Sequence, residues 1–104
     1  MSKTSPTLRL SDAEWRLMSV LWAEGPTGAR RVLEVVAPAT DWAYTTVKTM
    51  LDRLVDKGAL STESVRNAAV YAPLVTIEQC RRSALRTLID QAFDGSAAPL
   101  VAHL

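Results

Sequence analysis

The sequence predicts a mainly α fold carrying one small β-hairpin, built as one small domain with a helical appendage. Three observations predict it. Apolar residues recur at helical spacing in several stretches, ordered as three short helices, a hairpin and a longer helix. Two of the helices open on a capping-box pattern, Ser11 to Glu14 and Thr76 to Gln79. Between residues 60 and 72 the apolar period changes from helical to about two.

Residues 1–10 are polar, contain Ser5-Pro6, and read as a loose arm. The first helix starts after Ser11, carries Trp15, Met18, Leu21 and Trp22 at helical spacing, and ends near Glu24 at Gly25-Pro26. The second is short, about Gly28 to Ala37, with Val32, Leu33, Val35 and Val36 apolar, and Pro38 is expected to stop it. Residues 39–42 connect it to a third helix from about Tyr44 to Lys57, with Gly58 as its C-terminal stop. At about 100° per residue, Val47, Leu51, Leu54 and Val55 of that helix fall within one arc. Thr45, Thr49, Arg53 and Asp56 lie near the opposite side, and Lys48 lies on the flank. Leu60–Val65 and Ala69–Ala72 read as strands joined by a turn at residues 66–68, and Pro73 permits only an edge position. A fourth helix is expected from Ile77 to about Phe93, with a wide apolar stripe of Ala84, Leu85, Leu88, Ile89, Ala92 and Phe93. Gly95-Ser96 breaks it, and a further apolar helix begins at Ala97. The expected domains are 1–75 and 76–104.

Composition excludes more than it selects. Twelve Lys and Arg against eleven Asp and Glu leave a formal charge of +1, so the whole-chain charge names no partner. Apolar residues at 48% and charged residues at 22% are ordinary for a packed domain and argue against disorder. No apolar run approaches the roughly 18–20 residues of a membrane span. The N-terminus lacks a secretory h-region, so the expected compartment is the cytoplasm. The single cysteine and single histidine, Cys80 and His103, cannot build a zinc site within one chain. No phosphate-binding glycine loop or nucleophile elbow is present. A Cys-His nucleophile pair is formally available, but a lone Cys is more often a small hydrophobe. Cys80 is therefore read as structural, with a redox role through an intersubunit disulfide as the second reading. The expectation is a protein that is not an enzyme and needs no metal or cofactor.

Three helices and a hairpin, in that order, make a winged helix-turn-helix. Packing the first two helices against the third turns the polar face of the third outward, and an α-helix fits the major groove of B-DNA. That face offers Tyr44, Thr45, Thr46, Lys48, Thr49 and Arg53. Hydroxyls bond to phosphates or base edges, threonine methyls touch the thymine methyl, and Lys and Arg neutralise phosphate or bond to guanine. Helix propensity alone would not choose three β-branched Thr within five residues. The plainer reading is a solvated helix start, with Thr45 or Thr46 serving as a cap. Arg66, at the hairpin tip, suits a minor-groove or backbone contact as well as a solvated turn. Arg30 and Arg31 stand at the start of the second helix, where phosphate contact and surface solubility are both open. The rival function is a winged-helix protein-docking module without specific DNA binding. The apolar stripe of the fourth helix is too wide for one neighbour and reads as a dimer interface.

The run Trp42 to Leu60, WAYTTVKTMLDRLVDKGAL, resembles the recognition-helix signature of the penicillinase-repressor family (BlaI/MecI/CopY). The matching features are Trp42, Thr46-Val47, Thr49, Leu51, Arg53-Leu54, Lys57-Gly58 and Leu60. Glu14-Trp15, Met18, Leu21-Trp22 and Gly25-Pro26 resemble the first helix, and Tyr71 with Pro73-Leu74-Val75 resembles the end of the wing. Cys80-Arg81-Arg82 and Gly95-Ser96 with Pro99 to His103 resemble the C-terminal region. The resemblance implies a homodimeric transcriptional repressor on an inverted-repeat operator of double-stranded DNA, with C-terminal helices forming the dimer. By position it makes Thr45, Thr46, Lys48, Thr49 and Arg53 the DNA-facing residues. The dimerisation residues expected from the C-terminal stripe are Leu85, Leu88, Ile89, Phe93, Leu100 and Val101. The resemblance further implies an upstream membrane sensor and protease, with repression lifted by cleavage near the C-terminus in the β-lactam branch. The chain departs from the family at Gly28, where Thr is usual, at Arg31, where an acid is usual, and at Ala69 and Ala72, where the wing is usually more aromatic. It lacks the paired C-terminal cysteines of the copper branch, so copper sensing is disfavoured. The family continues into another acidic helix, so the C-terminal segment is expected to be shortened.

Overall fold

The computed structural model describes residues 9–93, with side chains up to Ala92. The elements run α1 (Asp12–Glu24), α2 (Ala29–Val36), a single 3-10 turn (Ala37–Ala39), α3 (Tyr44–Asp56), β1 (Leu60–Val65), β2 (Ala68–Pro73) and α4 (Ile77–Phe93). The chain divides into two compact units, one spanning Leu10–Thr76 and the other containing α4.

In the first unit, local chemistry sets the helix ends. Ser11 caps α1 with a complete capping box: its hydroxyl accepts from the Glu14 amide at 3.1 Å, and its own amide donates to Glu14 Oε1 at 2.9 Å. The α-helix ends at Val36, just before Pro38 as expected, and a 3-10 turn carries the chain past the proline. Pro38 sits at the start of the 3-10 turn, where its missing N–H leaves no bond unmade. Thr40 then closes the connector, its hydroxyl donating to the Val36 carbonyl at 3.0 Å. At the far end of α3, Gly58 adopts φ +86°, the Gly58 amide reaches the Val55 carbonyl and the Ala59 amide reaches the Leu54 carbonyl. That pair of bonds satisfies the last carbonyls of α3 and needs a residue at ease with positive φ.

The core gathers one face from each element: Leu17, Met18 and Leu21 of α1, Ala29, Val32 and Val36 of α2, Val47, Leu51 and Leu54 of α3, then Ala59, Leu60 and Tyr71. Trp15 and Trp22, expected in the apolar stripe of α1, are only half-buried and pack on each other with ring centroids 5.8 Å apart. The Trp22 indole donates to the Val75 carbonyl at 2.9 Å, tying α1 to the segment after the hairpin.

The two strands pair antiparallel, from Leu60 opposite Pro73 to Val65 opposite Ala68. Strand β2 is one residue longer at each end than expected, and the turn shrinks to Arg66-Asn67. Tyr71 also exchanges both backbone bonds with Thr27, which anchors the base of the hairpin beside the start of α2. There Gly28 comes so close to β2 that a Cβ would lie 3.3 Å from the Ala69 carbonyl oxygen. Burial on β1 ends after Leu60 and Ser61, so the outer half of the hairpin projects as a wing.

In the second unit, α4 begins at the expected residue and is described as far as Phe93. Its Leu85, Leu88 and Ile89 are 56%, 63% and 43% exposed. Cys80 is buried, and burial pushes its thiol pKa up, so little reactive thiolate is present at neutral pH. The side chain of Phe93, and Leu100, Val101 and His103, lie outside the described residues, as does the helix expected from Ala97.

Candidate nucleic-acid interface

Helix α3 is held from behind and open in front. Val47, Leu51 and Leu54 are fully buried, whereas Thr45, Thr46, Thr49 and Arg53 are exposed. The N-cap is Ala43, which supplies no side-chain bond, and the first turn carries no acid. Thr45 and Thr46 are therefore not caps: they are the second and third residues of the helix, and both are exposed. The helix presents uncapped amides and the positive end of its dipole, an arrangement that favours an anion. Tyr44 is exposed at this same end, and the Arg30 guanidinium of α2 lies 5.2 Å from the centre of its ring. That contact puts one cation and one aromatic ring at the start of α3.

The position of α3 is fixed at its other end by Glu14. The Lys57 ammonium, at the C-cap, donates to Glu14 Oε1 at 2.7 Å, the same oxygen that closes the capping box of α1. Burial works to raise the Glu14 pKa. The Lys57 bond, the Ser11 amide and the Lys57 charge outweigh it and leave the carboxyl below its ordinary value.

Lys48 differs from its neighbours. It is half-buried, donates to both oxygens of Asp52 at 3.0 and 3.2 Å, and stands 5.6 Å from the centre of the Tyr71 ring. The Tyr71 hydroxyl in turn donates to Asp52 Oδ1 at 2.8 Å. Its contact with Tyr71 and its bonds to Asp52 raise the Lys48 pKa, so it stays charged. Burial works to raise the Asp52 carboxyl, but the bonds from Tyr71 and Lys48 hold it below the usual range. This cluster joins α3 to the wing. Asp52 and Tyr71 were not among the expected site residues. The Lys48/Asp52 spacing of four was a usable signal for the ion pair. Nothing local connects Tyr71 to α3.

Arg66 and Asn67 form the wing tip with φ +53° and +67°. Positive φ at both central residues matches the right-handed twist of a two-residue hairpin loop. Asn tolerates that conformation, but Arg pays roughly 1 kcal/mol for it. Arg66→Gly is therefore expected to stabilise the domain in urea unfolding by up to about 1 kcal/mol. The same change is expected to weaken duplex binding and flatten its salt dependence by about 0.9 per chain. Opposite signs in the two measurements separate backbone strain from the role of the charge.

The cations divide by availability. Arg31 is taken by Glu24 and Glu34, Lys57 by Glu14 and Lys48 by Asp52. Arg53 and Arg66 have no ion-pair partner among the described residues, and Arg30 has only the Tyr44 ring. These three flank the outward face of α3 from its start, its later turns and the wing. Among the described residues, no group of three or more His, Cys, Asp or Glu converges as a metal site would require. No helix among them is long and apolar enough to cross a membrane.

Residues 10–104 match the penicillinase repressor family. A 16.5 kDa protein of Latilactobacillus sakei is 30% identical over 84 residues, 81% of this chain, and the chain spans 58% of that relative's length. The transcriptional regulator BlaI of Mycobacterium tuberculosis is 33% identical over 97 residues, covering 91% of this chain and 70% of BlaI. Among solved structures, the monomeric form of Bacillus licheniformis BlaI in complex with the blaP half-operator superposes with a TM-score of 0.61 at 29% identity. That match covers 73% of this chain and 93% of the BlaI chain.

Proposed function

The chain belongs to the penicillinase repressor family, and from that premise we propose that it is a DNA-binding transcriptional repressor that acts as a homodimer on an inverted-repeat operator. The family is one of repressors and not of enzymes, so the face of α3 binds and does not react. One observation supports the reading above the others: Thr45, Thr49 and Arg53 stand exposed on the side of α3 opposite its buried stripe, with Thr46 exposed on the flank. Threonine hydroxyls and methyls suit base edges and phosphates, and Arg53 suits guanine or phosphate. Tyr44 and Arg30 flank the helix start, Lys48 lies beside the face, and Arg66 extends the contact through the wing. The relative solved on a half-operator supports the same use of the same fold.

The two-fold partner is supported by α4. Leu85, Leu88 and Ile89 are large, apolar and exposed on one helix, Phe93 ends that stripe in the sequence, and Leu100 and Val101 belong to the apolar run after Gly95-Ser96. An inverted-repeat operator read by such a pair is expected to carry half-sites about 34–36 Å apart, one turn of duplex. A cytoplasmic location and an upstream membrane sensor with protease complete the proposed circuit.

The test is a gel-shift titration with random-sequence duplex at low salt, followed by selection of tight sites from a randomised pool. Retardation and an enriched inverted repeat are expected. No retardation at any concentration would reject the DNA reading and favour protein docking. For the dimer, Leu88→Asp is expected to give a monomer in sedimentation at tens of micromolar, a rough scale for a weakened interface. Unchanged sedimentation would place the interface elsewhere.

A further inference from the structure

Two carboxylates on the outward side of α3, Asp52 and Asp56, run against simple phosphate binding, and Asp52 is the one bonded to the wing. Asp52 follows Thr45 by seven residues and Thr49 by three, so it shares their stripe. Its side chain is 53% exposed. It is also held in place. Oδ1 accepts from the Tyr71 hydroxyl and from Lys48, and Oδ2 accepts from Lys48. Tyr71 is itself fully buried and pinned to Thr27 through the backbone. A carboxylate offers about four acceptor sites. Three bonds from two partners leave capacity for one more donor from the solvent side.

We propose that Asp52 is a specificity-determining residue of the DNA-reading face: it withholds Lys48 from phosphate, and it offers a fixed carboxylate that repels the backbone and accepts an amino hydrogen from a base edge, as cytosine N4 presents in the major groove. This rests on the reading of α3 as the helix that enters DNA. Phosphate contacts carry most non-specific affinity and no sequence information. A negative charge in the middle of the face, together with a cation already neutralised beside it, lowers that sequence-independent share. The penalty is relieved where the carboxylate meets a donor, so the wrong register is rejected by repulsion and the right one accepted by a hydrogen bond. Tyr71 is the positioning residue, because its hydroxyl sets the carboxylate toward one direction.

The parent, Asp52→Asn, Lys48→Met and the double variant are titrated with salt against random-sequence duplex and against a site selected with the parent. Asp52→Asn is expected to bind random duplex roughly 3–10-fold tighter, with a salt slope steeper by about 0.9 per chain. Its preference for the selected site over random duplex is expected to fall roughly tenfold. Lys48→Met is expected to cost more in the Asp52→Asn background than in the parent, because only there is the ammonium free for phosphate. Tyr71→Phe keeps the ring and is expected to lower the site preference roughly threefold. It carries the test if Asp52→Asn fails to fold. Random-duplex binding by Asp52→Asn equal to or weaker than the parent's, equal Lys48→Met losses in both backgrounds, or an unchanged site preference in Tyr71→Phe overturns the role of Asp52. A parent that retards no duplex overturns the DNA reading itself, which is a separate outcome.

Discussion

Arg53→Ala is expected to weaken binding to a selected operator by about 1–3 kcal/mol at each half-site, and Thr49→Ala by about 1 kcal/mol. The proposed two-fold complex would make each contact twice, so the loss would be counted twice there. The expectation rests on where these side chains stand. Both point away from the buried stripe of Val47, Leu51 and Leu54, and Arg53 has no ion-pair partner among the described residues. Truncating them leaves no cavity and breaks no internal ion pair, so the fold is expected to stay within about 0.5 kcal/mol of the parent. The salt titration separates two roles. If Arg53 neutralises phosphate, affinity falls alike for operator and random duplex, and the slope drops by about 0.9 per chain. If it reads guanine, the operator loses far more than random duplex does. Variants that bind the operator as tightly as the parent would remove α3 from the interface.

What was legible in the sequence is what is local. The Ser11–Glu14 box, the Gly58 stop and the apolar period of α3 each depend on residues within a turn or two, and each appears in the fold as the sequence implies. The outward stripe of α3 follows from the same period. Contacts between distant residues were not legible. Glu14 and Lys57 are 43 positions apart, Trp22 and Val75 are 53 apart, and Tyr71 reaches Asp52 across 19. Each depends on how elements pack, and helical or strand periodicity carries no information about it. The tryptophans of α1 show the same limit. Their hydrophobicity put them in the stripe, but α1 packs against α2, α3 and β2, and the smaller Leu17 and Val20 take the enclosed positions. The cations were countable but not assignable. Only the folded chain separates Arg31 and Lys57, which hold elements together, from Arg53 and Arg66, which have no ion-pair partner among the described residues.

The second large effect is on stability. Glu14→Ala is expected to destabilise the winged-helix unit by about 2–3 kcal/mol. It removes the reciprocal half of the α1 capping box, worth about 1 kcal/mol, and an ion pair whose carboxylate end is only 9% exposed. Glu14→Gln keeps an acceptor for the Ser11 amide but not the charge, so about half of that loss is expected. The pH dependence identifies the cause. Burial alone would raise the carboxyl pKa, yet the Lys57 bond, the Ser11 amide and the Lys57 charge bring it below its ordinary value. A carboxyl whose pKa is lower in the folded than in the unfolded state adds stability above the unfolded value, about 4.3 for Glu. That contribution fades as pH falls through the folded value. Urea unfolding of the parent and Glu14→Gln is therefore expected to show a full gap at pH 7 that closes as acid protonates the folded carboxyl, where a protonated Glu and a Gln are nearly alike. Other depressed carboxyls, Asp52 among them, lower both curves together and cancel in the difference. A gap that stays constant with pH would mean that Glu14 acts through shape and hydrogen bonding. In that case the charge that sets the end of α3 against the start of α1, and with it the angle at which the helix meets DNA, would have to be sought elsewhere.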